Sequence, residues 1–495
     1  MSVWMVTDRP HGLQKLAGGL SGSRVIAPSK VDAALDAGGT PYLIINWAGL
    51  DGNDPPVRTL NRRRALALLQ NPDVVRERLQ LGGFRSLPRA QGLRSHGGVG
   101  AFRVGVLDME VYAVRRLIYS RGALHSTARL LVGRRIWERV TGAALRALHV
   151  IGLDAAVVDV LVPMVREHVR PAILGIRLTP VLAGTACERL QALIRQRLTG
   201  PVRAESGASG VDLAGLTLGA DPELMLRHRS GGHLIPASSL FSRRGRVGCD
   251  TQSGNRSGEF PIAEVRPGPR RHPDRLVREI RRCLMRAVSQ APYKDIEWLA
   301  GARPFPGYGT GGHIHFKGAD LSGRLVRALD NYLAVPVFMV EPPEQAAARR
   351  LGHGFLGDIR LKKHGGFEYR TLPSWLVAPA VARAVLHLAW LIAGTVTAGA
   401  ASLLDRDLFQ DGEWVRAFYA GQKEPFYTVF DELWSDLTRL PGFAASAEAL
   451  APLRQMITER VSWPDARDIR LAWLLPAGLT SYPSHSTAVA ADTGA

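Results

Sequence analysis

Ionisable residues occur in pairs, two positions apart, in four short segments of the second half of the chain. In a β-strand, the side chains of residues i and i+2 project from the same face. Each pair would therefore place two ionisable groups on one face of a strand. One such pair is common on a half-exposed strand, but four between residues 221 and 370 indicate a shared site. The pairs are Asp221 and Glu223, Glu264 and Arg266, His313 and His315, and Glu368 and Arg370.

The residue types in these pairs indicate the chemistry of the site. Carboxylates with histidine and without cysteine favour Mg²⁺ or Mn²⁺, and arginine suits phosphate oxygens. Carboxylates gathered on one face repel one another unless cations lie between them. A metal ion, phosphate and arginine together indicate nucleotide-dependent chemistry. The chain contains no GxxxxGK[ST] motif, so the pattern predicts a site on the face of a sheet rather than a P-loop.

The elements that must position these pairs are visible in the hydrophobic pattern. Helices are predicted from about Pro273 to Val288 and from about Ser322 to Leu333, because apolar residues recur on one face of each. Strand-like segments lie around and between them. The longest apolar stretch, Leu376 to Leu404, contains the charged Arg383 and predicts a buried helix rather than a membrane span. Further helical patterns follow at Trp414–Tyr419, Tyr427–Leu440 and Ala444–Val461.

The chain divides by composition into parts that predict an α+β protein. Residues 1–200 alternate short apolar runs with arginine-rich helical stretches, which is typical of an α/β or α+β unit. Residues 201–212 predict a linker, and residues 213–480 hold the four pairs. The small, polar tail at 481–495 is predicted to be disordered. The N-terminal apolar runs are Tyr42–Ile45, Phe102–Leu107 and Val157–Val162.

The chain is basic, with 63 Lys and Arg residues against 44 Asp and Glu residues and a formal charge of +19. Most of the basic residues are arginines, which suit phosphate-bearing ligands. They are spread along the chain without a zinc-finger, helix-turn-helix or RNA-recognition signature, so nucleic acid is not the favoured partner. Cys187, Cys249 and Cys283 form neither a disulfide framework nor a CxxC metal pair. Since no signal-peptide pattern is present either, a cytoplasmic protein is expected.

Several segments, in order along the chain, resemble the phage-type carboxylate–amine ligases (amidoligases). The resemblance covers roughly residues 213–396. That family has the glutamine-synthetase-like fold, as do glutamate–cysteine ligases and phosphagen kinases. The resemblance implies an antiparallel sheet whose concave face binds ATP and Mg²⁺, or Mn²⁺. It also implies that ATP phosphorylates a substrate carboxylate and that an amine attacks the acyl phosphate to give an amide. The segments are GADPELML, IPAS, EVRPGPRRHPDRLVREIRRCL, GGHIHFKG, RLVRALDNYLAVP and RRLGHGFLGDIRLKKHGGFEYRTLPSWLVAP.

The resemblance implies a set of metal ligands that takes at least one residue from each pair. Glu259 is an alternative to Glu264, because GEF also fits that part of the family pattern. Glu264 is preferred for its neighbouring arginine. The implied ligands are Asp221, Glu223, Glu264, His313 and Glu368.

The resemblance also implies residues that bind the nucleotide and the substrates. Arg266 and Arg370 would bind phosphate or the developing acyl phosphate, and His315 would lie near the nucleotide. Asp358 is implied as a residue that holds the incoming amine. Candidates for phosphate or substrate binding are Arg360, Lys362 and His364.

The N-terminal part more faintly resembles an ATP-grasp ligase, in LIINWAG, TLNRRRAL, AFRVGVLDMEVYAVRR, IGLDAAVVDV and ILGIRLTPVLAG. Such a domain needs an acidic residue and then a Glu-x-Asn pair to hold Mg²⁺. Asp159 fits the first position, but Gly175 and Arg177 stand where Glu and Asn are expected. The glycine-rich segment expected before Phe102 is short and lacks lysine. We therefore interpret residues 1–200 as a degenerate, non-catalytic ATP-grasp-like domain, with an unrelated α/β domain as the alternative.

Two other functions remain as alternatives to the ligase. One is a phosphotransferase that stops at phosphoryl transfer, as phosphagen kinases do. The other is a non-enzymatic, basic protein associated with a virion or with nucleic acid, whose binding would weaken steeply with salt. The complete set of four pairs argues against decay of the C-terminal site, and therefore against the non-enzymatic alternative. The carboxylate and amine substrates, which range from free amino acids to protein side chains, and the oligomeric state stay open.

Overall fold

The computed structural model describes most of the chain between residues 2 and 483. The predicted linker at 201–212 lies outside the described residues, as does the predicted tail from residue 484 onward. The described residues are 2–10, 13–37, 41–48, 58–85, 99–120, 123–126, 133–163, 169–199, 215–250, 259–362, 365–400, 404–464 and 467–483.

Two sheets form the N-terminal part. The first is parallel, with the strand order β2-β1-β3-β4, and the second is antiparallel, with the order β7-β6-β5-β8-β9. The three predicted apolar runs all overlap strands of these sheets. The strands are β1 Val3–Val6, β2 Arg24–Ile26, β3 Leu43–Asn46, β4 Thr59–Leu60, β5 Val99–Leu107, β6 Glu110–Ser120, β7 Ala123–Ser126, β8 Ala155–Pro163 and β9 Ala172–Arg177. The helices are α1 Gln14–Gly18, α2 Val31–Asp36, α3 Arg63–Leu69, α4 Pro72–Leu81, α5 Arg134–Ile151 and α6 Ala186–Thr199.

Two further sheets, both antiparallel, form the C-terminal part. One has the order β10-β16-β18-β17, and the other has the order β12-β11-β14-β13 with β15 paired to β11. The mixture of helices and antiparallel sheet confirms the predicted α+β class at this level. The strands are β10 Thr217–Ala220, β11 Glu223–His228, β12 Leu234–Ile235, β13 Val247–Asp250, β14 Ile262–Val265, β15 Ile296–Leu299, β16 Ile314–Lys317, β17 Ile359–Leu361 and β18 Phe367–Tyr369.

Helices cover the C-terminal sheets, and the predicted helical patterns are confirmed. The first begins at Pro273, where proline suits the first turn, and the side chain of His272 accepts the N–H of Asp274 at 3.2 Å. The helices are α7 Pro273–Gln290, α8 Gly323–Leu329, α9 Val335–Val340, α10 Pro343–Arg350, α11 Pro379–Thr397, α12 Gly412–Ala420, α13 Glu424–Thr438, α14 Phe443–Thr458 and α15 Ile469–Ala472.

The helix predicted to end at Leu333 is longer than predicted. It begins after Ser322, whose hydroxyl accepts the N–H of Leu325 at 3.2 Å. It then passes through a π-helical segment, Asp330–Ala334, into α9. Pro336 stands in the first turn of α9, where its missing N–H costs little because the wider π turn has already changed the hydrogen-bonding pattern.

The apolar helix α11 is buried, as its sequence predicts. By length and composition alone it could cross a membrane, but 72% of its 18-residue apolar window is buried inside the protein. It packs mainly against α14, α7 and α8. Its place is that of a core helix.

One hydrophobic cluster joins the N-terminal antiparallel sheet to the C-terminal sheets. It includes Val104 and Ala144 from the N-terminal part together with Leu218 and Phe367 from the C-terminal part. Helix α5 packs on β8 at one side and on β17 at the other. The two parts therefore share a core, and α5 lies beside the strands that carry the predicted site.

Candidate functional site

The first sheet of the C-terminal part aligns four of its residues in a row. Gly219 pairs with His315, His315 pairs with Glu368, and Glu368 pairs with Arg360. Directly paired residues of antiparallel strands share one face of the sheet. The side chains of this row therefore project from the same face.

A second row continues the first one, two residues along each strand. Asp221 donates its N–H to the carbonyl of His313 at 3.3 Å, and Arg370 donates its N–H to the carbonyl of Asp358 at 2.8 Å. The two rows explain the i, i+2 spacing of two of the four pairs, His313 with His315 and Glu368 with Arg370. Each pair straddles the end of a strand rather than lying wholly inside it.

Asp221, His315 and Glu368 form the group best suited to a metal ion. Among the described residues, ligand atoms of these three lie within 4.8 Å of one another. His315 Nε2 lies 3.0 Å from Asp221 Oδ2, and His313 Nδ1 lies 3.2 Å from Asp221 Oδ1 and 3.4 Å from Glu368 Oε1. Two carboxylates and an imidazole from these three residues fit a divalent cation.

Three cationic side chains surround the buried carboxylate of Glu368. Arg370 Nε lies 3.1 Å from it and Arg360 Nη1 lies 3.3 Å from it, and the ammonium group of Lys362 also contacts it. Burial alone would raise the pKa of Glu368, but Arg370, His313 and Arg360 outweigh burial and lower it. Three cations share this one carboxylate, so their remaining N–H donors can bind an anion such as phosphate.

Glu223 and Glu264 lie opposite each other on the neighbouring strands β11 and β14. Glu223 accepts the N–H of Gly311 at 2.7 Å, and burial raises its pKa. Glu264 is buried and contacts Arg266, which also donates to the carbonyl of Arg243 at 3.0 Å. Glu223 and Glu264 are thus placed together, next to the metal-binding group but not within it.

Three predicted residues remain: Asp358 is placed beside the site, Glu259 is exposed, and His364 is not among the described residues. Asp358 receives a hydrogen bond from Arg146 of α5 at 3.2 Å. Burial alone would raise the pKa of Asp358, but Arg146, Arg370 and Arg360 outweigh it and lower it. Glu259 is exposed just before β14. His364 lies outside the described residues.

Helix α5 supplies site residues that the sequence did not reveal. It borders a cavity of about 280 Å³ that Asp358, Arg360 and Arg370 also line. The available signal was the spacing of three arginines along one face of the predicted helix, at i, i+4 and i+11. These residues are Arg135, Arg139 and Arg146.

The acidic residue of the N-terminal part is engaged by two arginines. Asp159 accepts hydrogen bonds from Arg103 Nε at 2.8 Å and Arg103 Nη2 at 3.0 Å, and Arg177 also contacts it. Its backbone pairs with Gly175 on β9. Arg177, which stands where the Asn of the Glu-x-Asn pair is expected, thus binds the carboxylate of Asp159 that a metal ion would need.

Comparison with known proteins finds one matching family model. The family model described as phage phiEco32-like COOH·NH2 ligase type 2 matches residues 218–475, more than half of the chain. No curated protein matches. The matched residues include both C-terminal sheets apart from the first residue of β10.

Solved structures of ATP-grasp ligases are similar to part of the chain at a low level. The ligase PsnB with its minimal precursor has 14% identity over 39% of this chain and 98% of its own, with a TM-score of 0.28. The D-alanine–D-alanine ligase of Bacillus anthracis with ATP has 8% identity over 39% and 92%, also at 0.28. A RimK-domain ATP-grasp protein of Sphaerobacter thermophilus has 13% over 39% and 100%, again at 0.28. Similarity at this level does not establish a shared fold.

Proposed function

Because the chain belongs to the phage phiEco32-like COOH·NH2 ligase type 2 family, we propose that it joins a carboxylate to an amine through an acyl phosphate formed from ATP. The broader class, an ATP-dependent ligase that forms carbon–nitrogen bonds, follows from the family. The observation that carries the finer proposal is the arrangement around Glu368. A carboxylate–histidine group suited to Mg²⁺ and three cations suited to phosphate share one sheet face.

Asp221, His315 and Glu368 would hold the metal ion, which is Mg²⁺ or Mn²⁺. The ion would supply positive charge that neutralises phosphate oxygens of ATP. Glu223, Glu264 and His313 remain further candidate ligands, since they lie beside this group. The list of ligands thus gains His315, which the sequence assigned to the nucleotide.

The arginines and the lysine orient anionic groups and stabilise their charge. Arg370 and Arg360 are held by Glu368, so their guanidinium groups are in place before a ligand binds. Arg266 is fixed in a similar way by Glu264 and a backbone carbonyl. Their role is to align the carboxylate with phosphate and to lower the cost of charge on the transferred group.

The amine site and the detailed fold are also part of the proposal. Asp358 would hold the incoming amine, and its lowered pKa supports this role because the carboxylate stays anionic at neutral pH. The antiparallel pairing of β10, β16, β18 and β17, with the acidic residues on one face, supports a glutamine-synthetase-like fold.

Trapping of the activated carboxylate tests the proposal. The full chain is incubated with ATP, Mg²⁺, hydroxylamine and a panel of amino acids and acidic peptides, and ADP and hydroxamate are measured. We expect both products in equal amounts, with loss on addition of EDTA and recovery with excess Mg²⁺. Glu368→Gln should lower both by about a hundredfold, because it removes a metal ligand and strands three cations.

Glu344→Gln, an exposed carboxylate on α10, is the matched control and should behave as wild type. Unchanged turnover in Glu368→Gln would show that the site is elsewhere. A stable phosphorylated product, with no hydroxamate and no amide, would instead identify a phosphotransferase.

A further inference from the structure

Helix α7 presents a stripe of arginines to solvent. Four exposed arginines recur along it at i, i+3, i+7 and i+11. At roughly 100° per residue they fall within about 80° of arc, opposite to the apolar face of the helix. Like charges at i, i+3 and i, i+4 repel one another and weaken a helix, so the stripe destabilises α7 unless a partner neutralises it. The four residues are Arg275, Arg278, Arg282 and Arg286.

The carboxylates that the structure describes leave most of this stripe unbalanced. Arg282 contacts Glu279 one turn away. Arg275, Arg278 and Arg286 make no hydrogen bond or ion pair with any residue in the described part of the chain. Their guanidinium donors are therefore available to anionic groups outside the protein, and phosphate suits them best.

Three leucines project into solvent from residues 471–479, here called the leucine turn. Leu471, Leu474 and Leu479 are 69%, 81% and 89% exposed. They make up three of the six exposed large apolar residues in the described part of the chain. Single exposed apolar residues are ordinary, but several within one short segment indicate a contact surface.

The leucine turn is held in place by buried neighbours. Arg470 is buried and pairs with Asp468 at 2.8 Å, and Trp473 donates a hydrogen bond to the carbonyl of Leu376 at 2.6 Å. Leu474 has a φ of 49°, in the left-handed region that favours glycine and asparagine. A leucine here is unfavourable both for the backbone and for contact with water. This placement indicates that the side chain serves a contact with a partner.

The arginine stripe and the leucine turn adjoin. Arg281 of α7 donates a hydrogen bond to the carbonyl of Leu474 at 3.4 Å, and Arg278 lies one helical turn from Arg281. A bilayer that contains anionic phospholipids matches both features, because its phosphates attract arginines and its hydrocarbon accepts any projecting apolar side chain. A partner protein would need a separate pocket for each leucine, and a nucleic-acid backbone offers no apolar phase.

This surface lies away from the candidate site. Helix α7 packs on β13 and β14, and its Leu276 belongs to the same hydrophobic cluster as Cys249 and Val265 of those strands. Because successive residues of a strand face opposite sides of the sheet, Glu264 points to the other side. A partner bound to the outer face of α7 would leave the candidate site open to its substrates.

We propose that the arginine stripe of α7 and the leucine turn bind the surface of an anionic bilayer, with Leu474 inserted among the lipids. The contact is peripheral, since the apolar helix α11 is buried inside the protein. The proposal concerns where the protein is held and not the reaction that it performs. It is therefore independent of the proposed function.

Sedimentation of the full chain with lipid vesicles tests the proposal. One set of vesicles contains phosphatidylglycerol and phosphatidylcholine in equal amounts, and the other contains phosphatidylcholine alone. We expect binding at least about tenfold tighter to the anionic vesicles, because several arginines face the charged surface. Added salt should reduce this preference, since it screens the charges.

A triple variant of α7 tests the arginine stripe. Arg275→Gln, Arg278→Gln and Arg286→Gln together should weaken binding to anionic vesicles by about a hundredfold, at about fivefold for each arginine. The melting temperature should not fall, because repulsion within α7 is reduced. The matched control removes the same charge from exposed arginines of the N-terminal part and should bind as wild type. Its substitutions are Arg24→Gln, Arg64→Gln and Arg189→Gln.

Leu474→Asn tests the leucine turn. We expect about tenfold weaker binding to anionic vesicles, because one inserted apolar side chain is lost. The melting temperature should equal or exceed that of the wild type, since asparagine tolerates a positive φ better than leucine does. Leu351→Asn is the matched control, because Leu351 is 72% exposed at the end of α10.

The proposal is overturned if both kinds of vesicle bind equally or not at all, or if the two triple variants lose the same affinity. Equal binding by Leu474→Asn and Leu351→Asn would overturn the insertion of Leu474. Binding of duplex DNA that depends on the α7 arginines, without binding to vesicles, would assign the surface to nucleic acid and overturn the proposal as well. Hydroxamate formation in the α7 variant should stay at the wild-type rate, so loss of vesicle binding is distinguishable from failure of the proposed function.

Discussion

At the scale of single residues, the candidate site holds several carboxylates close together. Glu223 and Glu264 face each other across two strands, and Asp221 and Glu368 both lie within reach of one metal ion. Asp221 lies beside two histidines, and Glu264 and Glu368 each contact an arginine. The chain thus holds the carboxylates together before a metal ion binds, which favours binding because no rearrangement is needed.

Whether the metal ligand is Glu259, which precedes β14, or Glu264, which lies in β14, can be tested directly. Glu264 is buried opposite Glu223, whereas Glu259 is exposed. Removing the charge of Glu264 should weaken Mn²⁺ binding by about tenfold, because two facing carboxylates attract a cation more strongly than one. Electron paramagnetic resonance of free Mn²⁺ measures the affinity of Glu264→Gln and Glu259→Gln. A larger loss in Glu259→Gln would make Glu259 the ligand.

An acidic residue far from the metal-binding group should govern stability at low pH. Asp274 of α7 accepts hydrogen bonds from Arg383 at 2.7 Å and from His387 at 3.1 Å, both on α11. Burial alone would raise the pKa of Asp274, but Arg383 and His387 outweigh it and lower the pKa to about 2. Because this value lies below the unfolded-state pKa, ionised Asp274 stabilises the fold above about pH 4, and the stabilisation is lost towards pH 2.

Replacing Asp274 should therefore matter at neutral pH and not in acid. Asp274→Asn should lower the free energy of unfolding at pH 7 by about 1 kcal/mol, a modest value because solvent screens a side chain that is 34% exposed. Urea denaturation between pH 2 and pH 7 measures the difference, with the exposed Asp431→Asn as control. A difference that does not shrink as the pH falls would contradict the prediction.

At the scale of elements, the glycines before β16 allow the histidines to reach the site. A Cβ atom on Gly312 would lie 2.3 Å from the carbonyl oxygen of Pro373 and 2.5 Å from Nε1 of Trp375. Trp375 also donates a hydrogen bond to the carbonyl of Gly312 at 2.8 Å. No larger residue fits here unless the segment before β16 moves away from Pro373 and Trp375.

Gly312→Ala should therefore both destabilise the protein and disturb the metal-binding group. We expect a loss of about 1–3 kcal/mol in the free energy of unfolding, as for overpacked sites, together with weaker Mn²⁺ binding because His313 and His315 move. Gly352→Ala is the control, since a Cβ atom there meets nothing within 4 Å. Urea denaturation and Mn²⁺ titration measure the two effects. Unchanged metal affinity in a destabilised Gly312→Ala protein would separate the glycine from the site.

The sequence could predict the strands and helices near the site but not how the strands align. The i, i+2 spacing of the pairs is a local feature of the sequence. The apolar face and the first-turn proline that predict α7 are local features as well. The register that brings His315 rather than His313 into the ligand group depends on pairing between β10, β16 and β18. Such pairing is set by contacts that are distant along the chain.

Two other features also lay beyond local patterns. Arg146 meets Asp358 across 212 residues of sequence, so no spacing within one segment shows the contact. The π-helical segment that carries the helix past Leu333 begins at Asp330. The buried carboxylate of Asp330 contacts His149 at 2.5 Å and Tyr369 at 2.6 Å, and both residues are distant along the chain. Tertiary contacts decide where such a helix ends.

At the scale of the whole molecule, buried ion pairs join the N-terminal part to the C-terminal part. Arg327 of α8 donates a hydrogen bond to Asp154, which precedes β8, at 2.9 Å. Asp154 also accepts the N–H of Asn61 at 3.1 Å. With the shared hydrophobic cluster, these contacts predict that the two parts unfold together.

Arg327→Met should destabilise both parts at once. It leaves Asp154, which is 2% exposed, as a buried charge without its arginine, at a cost of about 3–5 kcal/mol. Arg324→Met, one turn earlier in α8, is the control, because Arg324 pairs with the half-exposed Asp405 and should matter by less than about 1 kcal/mol. Adding Asp154→Asn to Arg327→Met should recover part of the loss, since the stranded charge is then gone.

Urea transitions followed by circular dichroism and by tryptophan fluorescence should coincide in every variant. Two separate transitions, with only one shifted by Arg327→Met, would show instead that the N-terminal part folds independently of the candidate active site.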